Sequence, residues 1–447
     1  MKKIEPYIKY KHSGIAWLGE IPEHWEIRRI KYIFKEQDQR SETGLEDLLS
    51  VSHYTGVTKK SDRVNSGELL SNAATLVGYK IVKRNDLVMN IMLAWNGSLG
   101  ISKYDGITSP AYCVFKSLIG GEKYFGYLYR TKEAQQEFKK QSTGIIDSRL
   151  RLYPDKFFNI KTTIPSKNEQ TSIANFLDYK TAKIDRFIRK KKQLIKLLNQ
   201  QKSAIINQAV TKGLDPNVKM KEIDLDWLGD IPAHWEVRKL KYVANFQSGE
   251  MITSESIDSK EGEYPVFGGG GFRGYTTNYT NEGNYILIGR QGALCGNIKY
   301  ANGKFWASEH AIVTYPKIEI ETIYLGEVLK ISNLGKLSQT AAQPGIAIGQ
   351  IKNVSIPIPP LPEQNIIVSH IEKETAKLNQ TITTIEKEIT LVQEYRTTLI
   401  AEAVTGKIDV RGYEIPEVEE TESYEEMEEE LSMVTEDFVD YETEEME

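Results

Sequence analysis

The chain has 447 residues, with 57 Lys or Arg against 62 Asp or Glu, and a net charge of −5. Its two cysteines have no cysteine or histidine at ligand spacing, which excludes a disulfide framework and a zinc ribbon. No run of about 18 apolar residues exists, which excludes an export signal and a membrane span. A cytoplasmic protein is therefore expected. Residues 414–447 hold 17 of the acidic residues and no Lys or Arg, so residues 1–413 carry a net charge of +12, which favours a polyanionic partner.

The first recognisable element in each half of the chain is a short repeated segment. AWLGEIPEHW occupies residues 16–25 and DWLGDIPAHW occupies residues 226–235, at an offset of 210. Because Trp, Pro and His share one spacing in both copies, each segment is predicted to be a structural plug whose tryptophans pack beside a helix end. His24 and His234 have no second ligand nearby, so we interpret them as buried hydrogen-bonding groups, and no metal site is expected.

A variable, β-rich region follows each plug, at residues 26–165 and 236–359. In the first region the sequence predicts strands at Leu87–Leu93 and Tyr112–Phe115 and then a polar helix at Tyr124–Gln141. In the second it predicts, in the same order, a strand at Tyr285–Gly289, a hairpin from Ile298 to Trp306 turning at Asn302-Gly303, a strand at His310–Tyr315 and a helix at Ile323–Leu334. The common order indicates a common fold plan.

Each variable region leads into a long stretch with apolar residues at alternating spacings of four and three. These stretches run from about Glu169 to Ala209 and from about Glu363 to Ala403, and they align without a gap at an offset of 194. Such spacing predicts a coiled-coil seam on helices of about 41 residues, each about 60 Å long. The predicted seam residues are Ile184, Ile188, Ile195, Leu198, Ile205, Leu378, Ile382, Ile385, Ile389, Val392 and Leu399.

The ends of these helices carry their own signals. Ser166 and Glu169 have the spacing of a capping box, and Pro362 suits a first helical turn. Gly213 and Gly406 stand where a left-handed cap falls. The acidic segment beyond Ile415 is predicted to be disordered.

The order domain, helix, domain, helix predicts an α+β fold. Two β-rich mixed domains are separated by a pair of long antiparallel coiled-coil helices, with an internal pseudo-two-fold repeat. Two different heads on such a frame suit duplex DNA, whose backbone is itself two-fold. The predicted domains are a plug at 1–25, a first recognition domain at 26–165, a central helix at 166–213, a second plug at 214–235, a second recognition domain at 236–359, a distal helix and cap at 360–413 and an acidic tail at 414–447.

Several motifs together resemble the specificity subunit of type I restriction–modification systems, over essentially residues 13–413. The matching segments are WLGEIPEHW, DWLGDIPAHW, DLVMNIMLAWNGSLG, DGITSPAY, YPVFGGGGFRGY, ILIGRQGALCGNI, QTAAQPGIAIGQIKNVSIPIPPLPEQ and LIAEAVTGKIDVRGY. The first half departs from the pattern at Ile164–Gln170, which lacks the double proline found at Ile358–Gln364.

This resemblance implies a non-catalytic chain that binds double-stranded DNA at a bipartite, asymmetric target. It implies two methyltransferase subunits and the restriction subunits (translocase and nuclease) as partners. S-adenosylmethionine, ATP and Mg are expected on those partners, and no cofactor is expected on this chain.

Two other function classes are alternatives to a non-catalytic specificity subunit. A methyltransferase fused to recognition domains would need a glycine-rich cofactor loop, and Phe267–Gly271 matches that pattern literally, but no D/N-P-P-F/Y catalytic loop follows. No P-loop and no clear nuclease cluster is present either, and Phe267–Gly271 is better interpreted as a turn that lets backbone approach a partner. A coiled-coil scaffold without DNA binding is the remaining alternative.

Candidate DNA contacts are polar residues in turns near strand ends, because Arg and Lys suit guanine whereas Asn and Gln suit adenine. In the first region they are Asn90, Asn96, Ser148, Arg149 and Arg151, and in the second Arg273, Arg290, Gln291 and Gln343. The pattern leaves open whether each one contacts a base, contacts a phosphate or only forms its turn.

Overall fold

The structure is a computed structural model that describes residues 4–53, 55–63, 75–225, 227–258, 260–338 and 344–416. The chain divides into two compact units: unit 1 contains residues 1–192 and 386–447, and unit 2 contains residues 193–385. Gln343 and the predicted acidic tail beyond residue 416 lie outside the described residues. Within the described ranges, no helix is both long and apolar enough to cross a membrane.

The elements alternate between short strands and helices, with one very long helix after each group of strands. In chain order they are β1 Tyr10–His12, β2 Glu20–Pro22, β3 Glu26–Arg29, β4 Phe34–Gln37, β5 Leu49–Ser52, β6 Gly56–Lys59, β7 Lys80–Val82, β8 Leu87–Asn90, β9 Leu99–Ile101, β10 Gly106–Thr108, β11 Tyr112–Ser117, α1 Glu122–Leu128, α2 Lys132–Gln141, α3 Pro154–Asn159, β12 Lys161–Ile164 and α4 Lys167–Lys212. They continue with β13 Met220–Lys221, β14 Ile231–Pro232, β15 Glu236–Lys239, α5 Leu240–Val243, β16 Ala244–Ser248, β17 Tyr264–Gly268, β18 Gly271–Thr276, β19 Asn281–Glu282, β20 Tyr285–Gly289, β21 Ile298–Ala301, β22 Lys304–Ala307, β23 Ala311–Pro316, α6 Thr322–Ile331, α7 Ile348–Ile351, β24 Ser355–Ile358 and α8 Leu361–Thr405.

The two units repeat one sheet topology. Unit 1 contains an antiparallel sheet in the order β4-β11-β8-β9, and unit 2 contains an antiparallel sheet in the order β16-β23-β20-β21. The pairs β1-β2 and β3-β12 of unit 1 correspond to β13-β14 and β15-β24 of unit 2. The internal repeat of the sequence is therefore a repeat of fold.

One of the two central strands of each four-stranded sheet, β8 in unit 1 and β20 in unit 2, is buried on both faces, which explains its unbroken apolar run. Leu87 and Met89 of β8 face the main core of unit 1, while Val88 faces a second cluster. In β20 of unit 2, Leu287 likewise faces a second cluster, whereas Ile286 and Ile288 face the main core. The turns at the ends of these strands therefore stand on a rigid base.

The predicted hairpin from Ile298 to Trp306 is wrong in its pairing, although both strands exist. β21 pairs with β20 in the main sheet, whereas β22 pairs with β17 and β19 in a second sheet of order β18-β17-β22-β19. Gly303, at φ 72°, lies in the turn that leads the chain from one sheet to the other.

The predicted polar helix at Tyr124–Gln141 is two helices, because the chain turns after α1 and Thr131 caps α2 by accepting a hydrogen bond from the Ala134 amide.

The long helices are confirmed and extend slightly beyond the predicted bounds, to 46 residues in α4 and 45 in α8. The capping box is also confirmed: the Ser166 amide donates to Glu169 Oε2 at 3.2 Å, and the Glu169 amide donates to Ser166 Oγ at 3.3 Å. Gly213 and Gly406 follow the two helices in the left-handed region, at φ 73° and 77°. At Gly406 a Cβ would also lie 2.4 Å from the Pro22 ring, so the plug packs there only against glycine.

Within unit 1 the two long helices run antiparallel. Asp185 pairs with Arg396 at 3.4 Å and Lys191 pairs with Glu388 at 2.9 Å, so numbers rise along α4 as they fall along α8. In unit 2, Lys202 of α4 donates to Asn379 Oδ1 of α8 at 2.8 Å. Of the predicted seam residues, Ile184, Ile188, Ile385, Ile389, Val392 and Leu399 are buried, whereas Ile195, Leu198, Ile205, Leu378 and Ile382 are half-buried.

The plugs hold the first turn of each long helix through a glutamate. In unit 1, Glu169 Oε1 accepts from Trp25 Nε1 at 3.3 Å and contacts His24 Nε2 at 2.8 Å. In unit 2, Glu363 accepts from Trp235 Nε1 at 3.0 Å and contacts His234 Nε2 at 2.7 Å. Trp25 and Trp235 are fully buried and Trp17 is 9% exposed, but Trp227 is only half-buried. Contrary to prediction, both histidines are largely exposed, although they do hydrogen-bond.

Candidate nucleic-acid interface

In unit 1, the candidate residues lie on two connected segments, of which the first is the turn after β8. Asn90, the last residue of that strand, is only 4% exposed. Its amide donates to Tyr112 Oη at 3.3 Å and accepts from the Met92 amide at 3.1 Å, and burial raises the pKa of Tyr112, which keeps that phenol neutral. Asn90 therefore stabilises the turn, and its buried amide is not accessible to a base edge. Asn96, at the far side of the turn, is exposed.

The second segment of unit 1 is residues 143–151, which we name the tip loop. Thr143 and Arg151 exchange two backbone hydrogen bonds of 2.9 Å, which close the loop at its base. Ser148 and Arg149 belong to a short 3-10 helix, Asp147–Arg149, within it. The Arg149 side chain is exposed, and Arg151 is half-exposed with its guanidinium donating to the Leu150 carbonyl at 2.9 Å.

In unit 2, the turn after β20 carries Arg290 and Gln291. The Arg290 amide donates to the His310 carbonyl at 2.9 Å, and Gln291 Oε1 lies 3.0 Å from His310 Nδ1. Burial raises the pKa of the Cys295 thiol, which donates to the Arg290 carbonyl at 3.5 Å. The Arg290 side chain is half-exposed and that of Gln291 is exposed. The sequence reasoning missed His310, because β23 brings it to this turn from about 20 residues away.

The glycine-rich turn that matched a cofactor loop lies against the same turn of unit 2. A Cβ at Gly269 would lie 2.9 Å from the His310 carbonyl and 3.2 Å from the Gln291 carbonyl, so side chains have no room there. Arg273 in β18 is exposed, and its stem lies along Gly268. The structure therefore gathers Arg273, Arg290 and Gln291 around one close-packed turn.

In each unit, an equivalent backbone hydrogen bond links the turn after β8 or β20 to a segment further along the chain. In unit 1 the Leu152 amide donates to the Ile91 carbonyl at 2.9 Å, which ties the tip loop to the turn after β8. In unit 2 the Ile346 amide donates to the Arg290 carbonyl at 3.0 Å, at the equivalent place in the sheet. The turns after β8 and β20 thus occupy equivalent places in the two units, although the candidate side chains around them differ.

The chemistry of these positions suits an anionic ligand with hydrogen-bonding edges. Arg149, Arg151, Arg273 and Arg290 offer guanidinium donors, and Asn96 and Gln291 offer amides that donate and accept. Among the residues that the structure describes, no group of three or more His, Cys, Asp or Glu is placed to hold a metal ion.

Comparison with known proteins places the chain in a family. Residues 22–197 and 232–391 match the family described as the type I restriction modification DNA specificity domain, once in each half of the chain. These two matches begin within the two plugs and cover well over half of the sequence.

Named relatives are specificity subunits of type I restriction enzymes, a non-catalytic class. The chain is 25% identical over 436 residues to the MjaVIII specificity subunit of Methanocaldococcus jannaschii, covering 88% of this chain and 94% of that subunit. It is 35% identical over 141 residues to the EcoprrI specificity subunit of Escherichia coli, which covers 30% of this chain. That second match spans only about a third, 35%, of the Escherichia coli subunit.

A solved structure shares the fold. It is a chain from work on complex assembly and conformational transition of the type I R-M system, and it superposes with a TM-score of 0.59 at 15% identity, over 87% of this chain and 99% of that one. Together with the repeated sheet topology and the two matched segments, this likeness leads to one assignment. The chain belongs to the type I restriction modification DNA specificity domain family.

Proposed function

We propose that this chain is the DNA sequence-specificity subunit of a type I restriction–modification complex. Unit 1 binds one half-site of a bipartite, asymmetric target and unit 2 binds the other. The observation that carries the proposal is the equivalent backbone link at the ends of β8 and β20, which presents different polar side chains from the same place in each unit.

Different side chains at equivalent places predict different half-sites. Unit 2 offers Arg290 and Arg273, which suit guanine, and Gln291, which suits adenine. Unit 1 offers Arg149, Arg151 and Asn96, with Ser148 in the same loop. The excess of basic residues in 1–413 supports a phosphate contribution to affinity, which falls as salt rises.

The long helices supply the second part of the proposal, the spacer between the half-sites. α4 and α8 each belong to both units, and their seam contacts hold them in one register. A helix is a stiff element whose length is fixed by its residue count. We therefore assign the spacer length to this helix pair.

The catalytic steps belong to partners in this proposal. Two methyltransferase subunits would supply S-adenosylmethionine chemistry, and restriction subunits would supply ATP-driven and Mg-dependent steps. The chain contributes recognition and a platform for assembly.

The test is to map methylated adenines across the genome in cells with and without this chain. We expect one bipartite motif to lose methylation when the chain is deleted. Replacing residues 26–165 by the same region of a relative should change one half of that motif, and replacing residues 236–359 should change the other. A motif whose two halves change together in either exchange would contradict the assignment of one half-site to each unit.

A further inference from the structure

The tip loop of unit 1 contains two neighbouring aliphatic side chains that are exposed to solvent. Ile145 is 99% exposed and Ile146 is 53% exposed. Exposed aliphatic residues are ordinary when scattered, but here two neighbours lie in a segment that already carries candidate DNA contacts. An apolar tip at such a place indicates a surface that another molecule covers.

The loop is built to hold this tip outward. Two backbone hydrogen bonds between Thr143 and Arg151 close its base. Gly144, at φ 152°, crosses so closely that a Cβ there would lie 2.6 Å from the Arg149 carbonyl. The Asp147 carboxylate pairs with Lys139 of α2 at 2.7 Å, which anchors the loop to the body of the unit.

Cations lie on the tip loop and on α2, to which the loop is anchored. Arg149 and Lys140 are exposed, and Lys139 lies 5.2 Å over the Trp95 ring while it pairs with Asp147. The loop's own carboxylate is therefore paired with Lys139, and the other charged residues of the loop, Arg149 and Arg151, are both cationic. A loop with exposed aliphatic side chains and cationic neighbours matches the apolar methyl groups and the negative backbone of duplex DNA.

Unit 2 also has an exposed aliphatic side chain beside its candidate contacts, although on a different segment, the turn after β20. Leu294 follows Gln291 in the turn after β20 and is 48% exposed. A Cβ at Gly270 would lie 3.0 Å from Leu294 Cδ1, so this side chain sits on the glycine turn beside the candidate contacts.

We propose that Ile145 is a specificity-determining residue that contacts the 5-methyl group of a thymine in the half-site bound by unit 1. The inference rests on the proposed function and adds a contact that carries no hydrogen bond. In the major groove the methyl group is the apolar mark that distinguishes thymine, and an aliphatic side chain recognises it by excluding water.

The test uses the full chain assembled with its partner subunits and duplexes in which single thymines of the mapped target are replaced by deoxyuridine. This exchange removes the methyl group and leaves every hydrogen-bonding atom in place. For one thymine in the half-site of unit 1, we expect the affinity to fall by about three- to tenfold. Ile145→Ala should lower affinity for the thymine duplex by a similar factor and should remove the sensitivity to uracil at that one position.

Two variants separate this contact from other effects. Ile145→Val should retain most of the sensitivity to the methyl group, because an aliphatic surface remains. Leu294→Ala should leave the uracil sensitivity of the unit 1 half-site unchanged, since Leu294 belongs to unit 2. Because Ile145 is almost fully exposed, neither of its variants should shift the melting temperature.

The two levels of the proposal fail in different ways. If the unmodified assembly binds its target specifically but no uracil exchange matters, or if Ile145→Ala keeps the full sensitivity, the methyl contact is wrong and the proposed function stands. If Ile145→Ala instead weakens assembly with partner subunits, the tip is a protein surface and the methyl contact is again wrong. If the unmodified assembly shows no sequence-specific binding, the proposed function itself fails.

Discussion

At the scale of single residues, the glutamate at the start of each long helix joins the plug to that helix through hydrogen bonds. Glu169 is 4% exposed and accepts hydrogen bonds from Trp25, Tyr7 and the Ser166 amide besides its contact with His24. It thereby joins the plug to the first turn of α4. A carboxylate so buried is tolerable only because its oxygens are satisfied.

Removing the charge of Glu169 should therefore destabilise unit 1. A glutamine has one acceptor oxygen where the carboxylate has two, so Glu169→Gln should cost about 2 kcal/mol of unfolding free energy, the range for hydrogen bonds to a charged group. Glu363→Gln is the matched control, and it should cost less because the Glu363 side chain is 29% exposed and has fewer donors. Thermal unfolding of both variants measures the difference, and equal losses would contradict the role given to burial.

The same carboxylate gives the protein a defined sensitivity to acid. Burial raises the pKa of Glu169, but hydrogen bonds from His24, Ser166 and Trp25 outweigh burial and hold the pKa below its ordinary value of 4.5. A carboxyl whose pKa is lowered by folding contributes stability above its unfolded pKa, and that stability is lost as the pH falls through the folded pKa. Stability measured from pH 7 down through about 4 should decline less in Glu169→Gln than in the unchanged chain, and parallel curves would contradict this.

At this scale the sequence located accessible turns better than it located accessible side chains. Arg290 and Gln291 do lie in an accessible turn, because glycine-rich strand ends mark such turns. Asn90 does not, because its amide folds back onto Tyr112 of β11. That partner is 22 residues away, so its position depends on strand pairing that the local sequence does not specify.

At the scale of elements, the long helices repeat in sequence but differ at one layer of their seam. Lys191, only 4% exposed, pairs with Glu388 at 2.9 Å, although the contact lacks hydrogen-bond alignment. At the offset of 194 the equivalent positions in unit 2 are Leu194 and Ile385, which are apolar. Pairing α4 with a second α4 would therefore set the buried lysine against leucine, so this layer favours pairing α4 with α8.

A double-mutant cycle tests this charged layer. Glu388→Leu alone should cost about 3 kcal/mol, because it removes a carboxylate 2.9 Å from the ammonium of a lysine that is only 4% exposed. Adding Lys191→Ile should restore most of that loss, since the pair then copies the apolar layer of unit 2. Chemical unfolding gives both values. A single variant as stable as the unchanged chain would show that the pair is only a surface contact.

Packing at the seam should vary along its length in the same way as burial. Ile389 is 8% exposed, and Ile389→Ala should cost about 3 kcal/mol, within the range for truncating a buried isoleucine. Ile195 was predicted to be buried and is half-buried, so Ile195→Ala should cost clearly less. Melting temperatures of the two variants rank the positions. If Ile195→Ala lowered the melting temperature more than Ile389→Ala, the burial of these side chains in the isolated chain would not determine their contribution to stability.

The sequence predicted the helices more accurately than the sheets, for a physical reason. A capping box, a left-handed glycine and a seven-residue spacing are local signals, and α4 and α8 agree with them within a few residues. Strand pairing is not local: the turn at Asn302-Gly303 was identified, yet it joins strands of two different sheets. Apolar runs buried on both faces give no indication of which neighbour they pair with.

At the scale of the whole molecule, the chain uses one fold plan twice and changes what the plan presents. The plug, the antiparallel sheet and the link at its strand end recur in both units. The remaining strands also recur: β5-β6 and β7-β10 are joined by a parallel bridge between Leu48 and Ile107, as β17-β18 and β19-β22 are joined by the parallel pair β17-β22. Equivalent tyrosines also recur: Tyr124 Oη donates to the Val404 carbonyl at 2.8 Å in unit 1, and Tyr324 Oη donates to the Val210 carbonyl at 3.3 Å in unit 2. Each unit thus holds the last turn of one long helix through a tyrosine hydroxyl. A change in helix length should therefore change the spacer between the two half-sites.

Lengthening the helix pair tests whether it sets the spacer of the target. Because α4 and α8 run antiparallel, both must be extended, with four residues inserted after Lys196 and four after Thr383. Four helical residues add about 6 Å and turn the far end by about 40°, which keeps the apolar stripe nearly in phase. B-DNA rises about 3.4 Å and turns about 34° per base pair, so both half-sites should persist with a spacer longer by about one or two pairs. Methylation mapping of the variant measures the spacer.

Two further lengths make this prediction quantitative. Seven residues in each helix add about 10 Å, the rise of about three pairs, and return the stripe almost to its original phase, so the protein should stay folded. Three pairs of B-DNA turn by about 100° whereas this insertion turns the far end by only about 20°, so methylation at the longer spacer should be weaker than in the four-residue variant. Two residues rotate the stripe by about 200° and should destabilise the protein, because the apolar faces then point apart. Insertion into α4 alone should also be damaging, since Lys202 and Asn379 would lose their register. Active four- and seven-residue variants that methylate the original spacer would show that the helices do not determine the distance between half-sites.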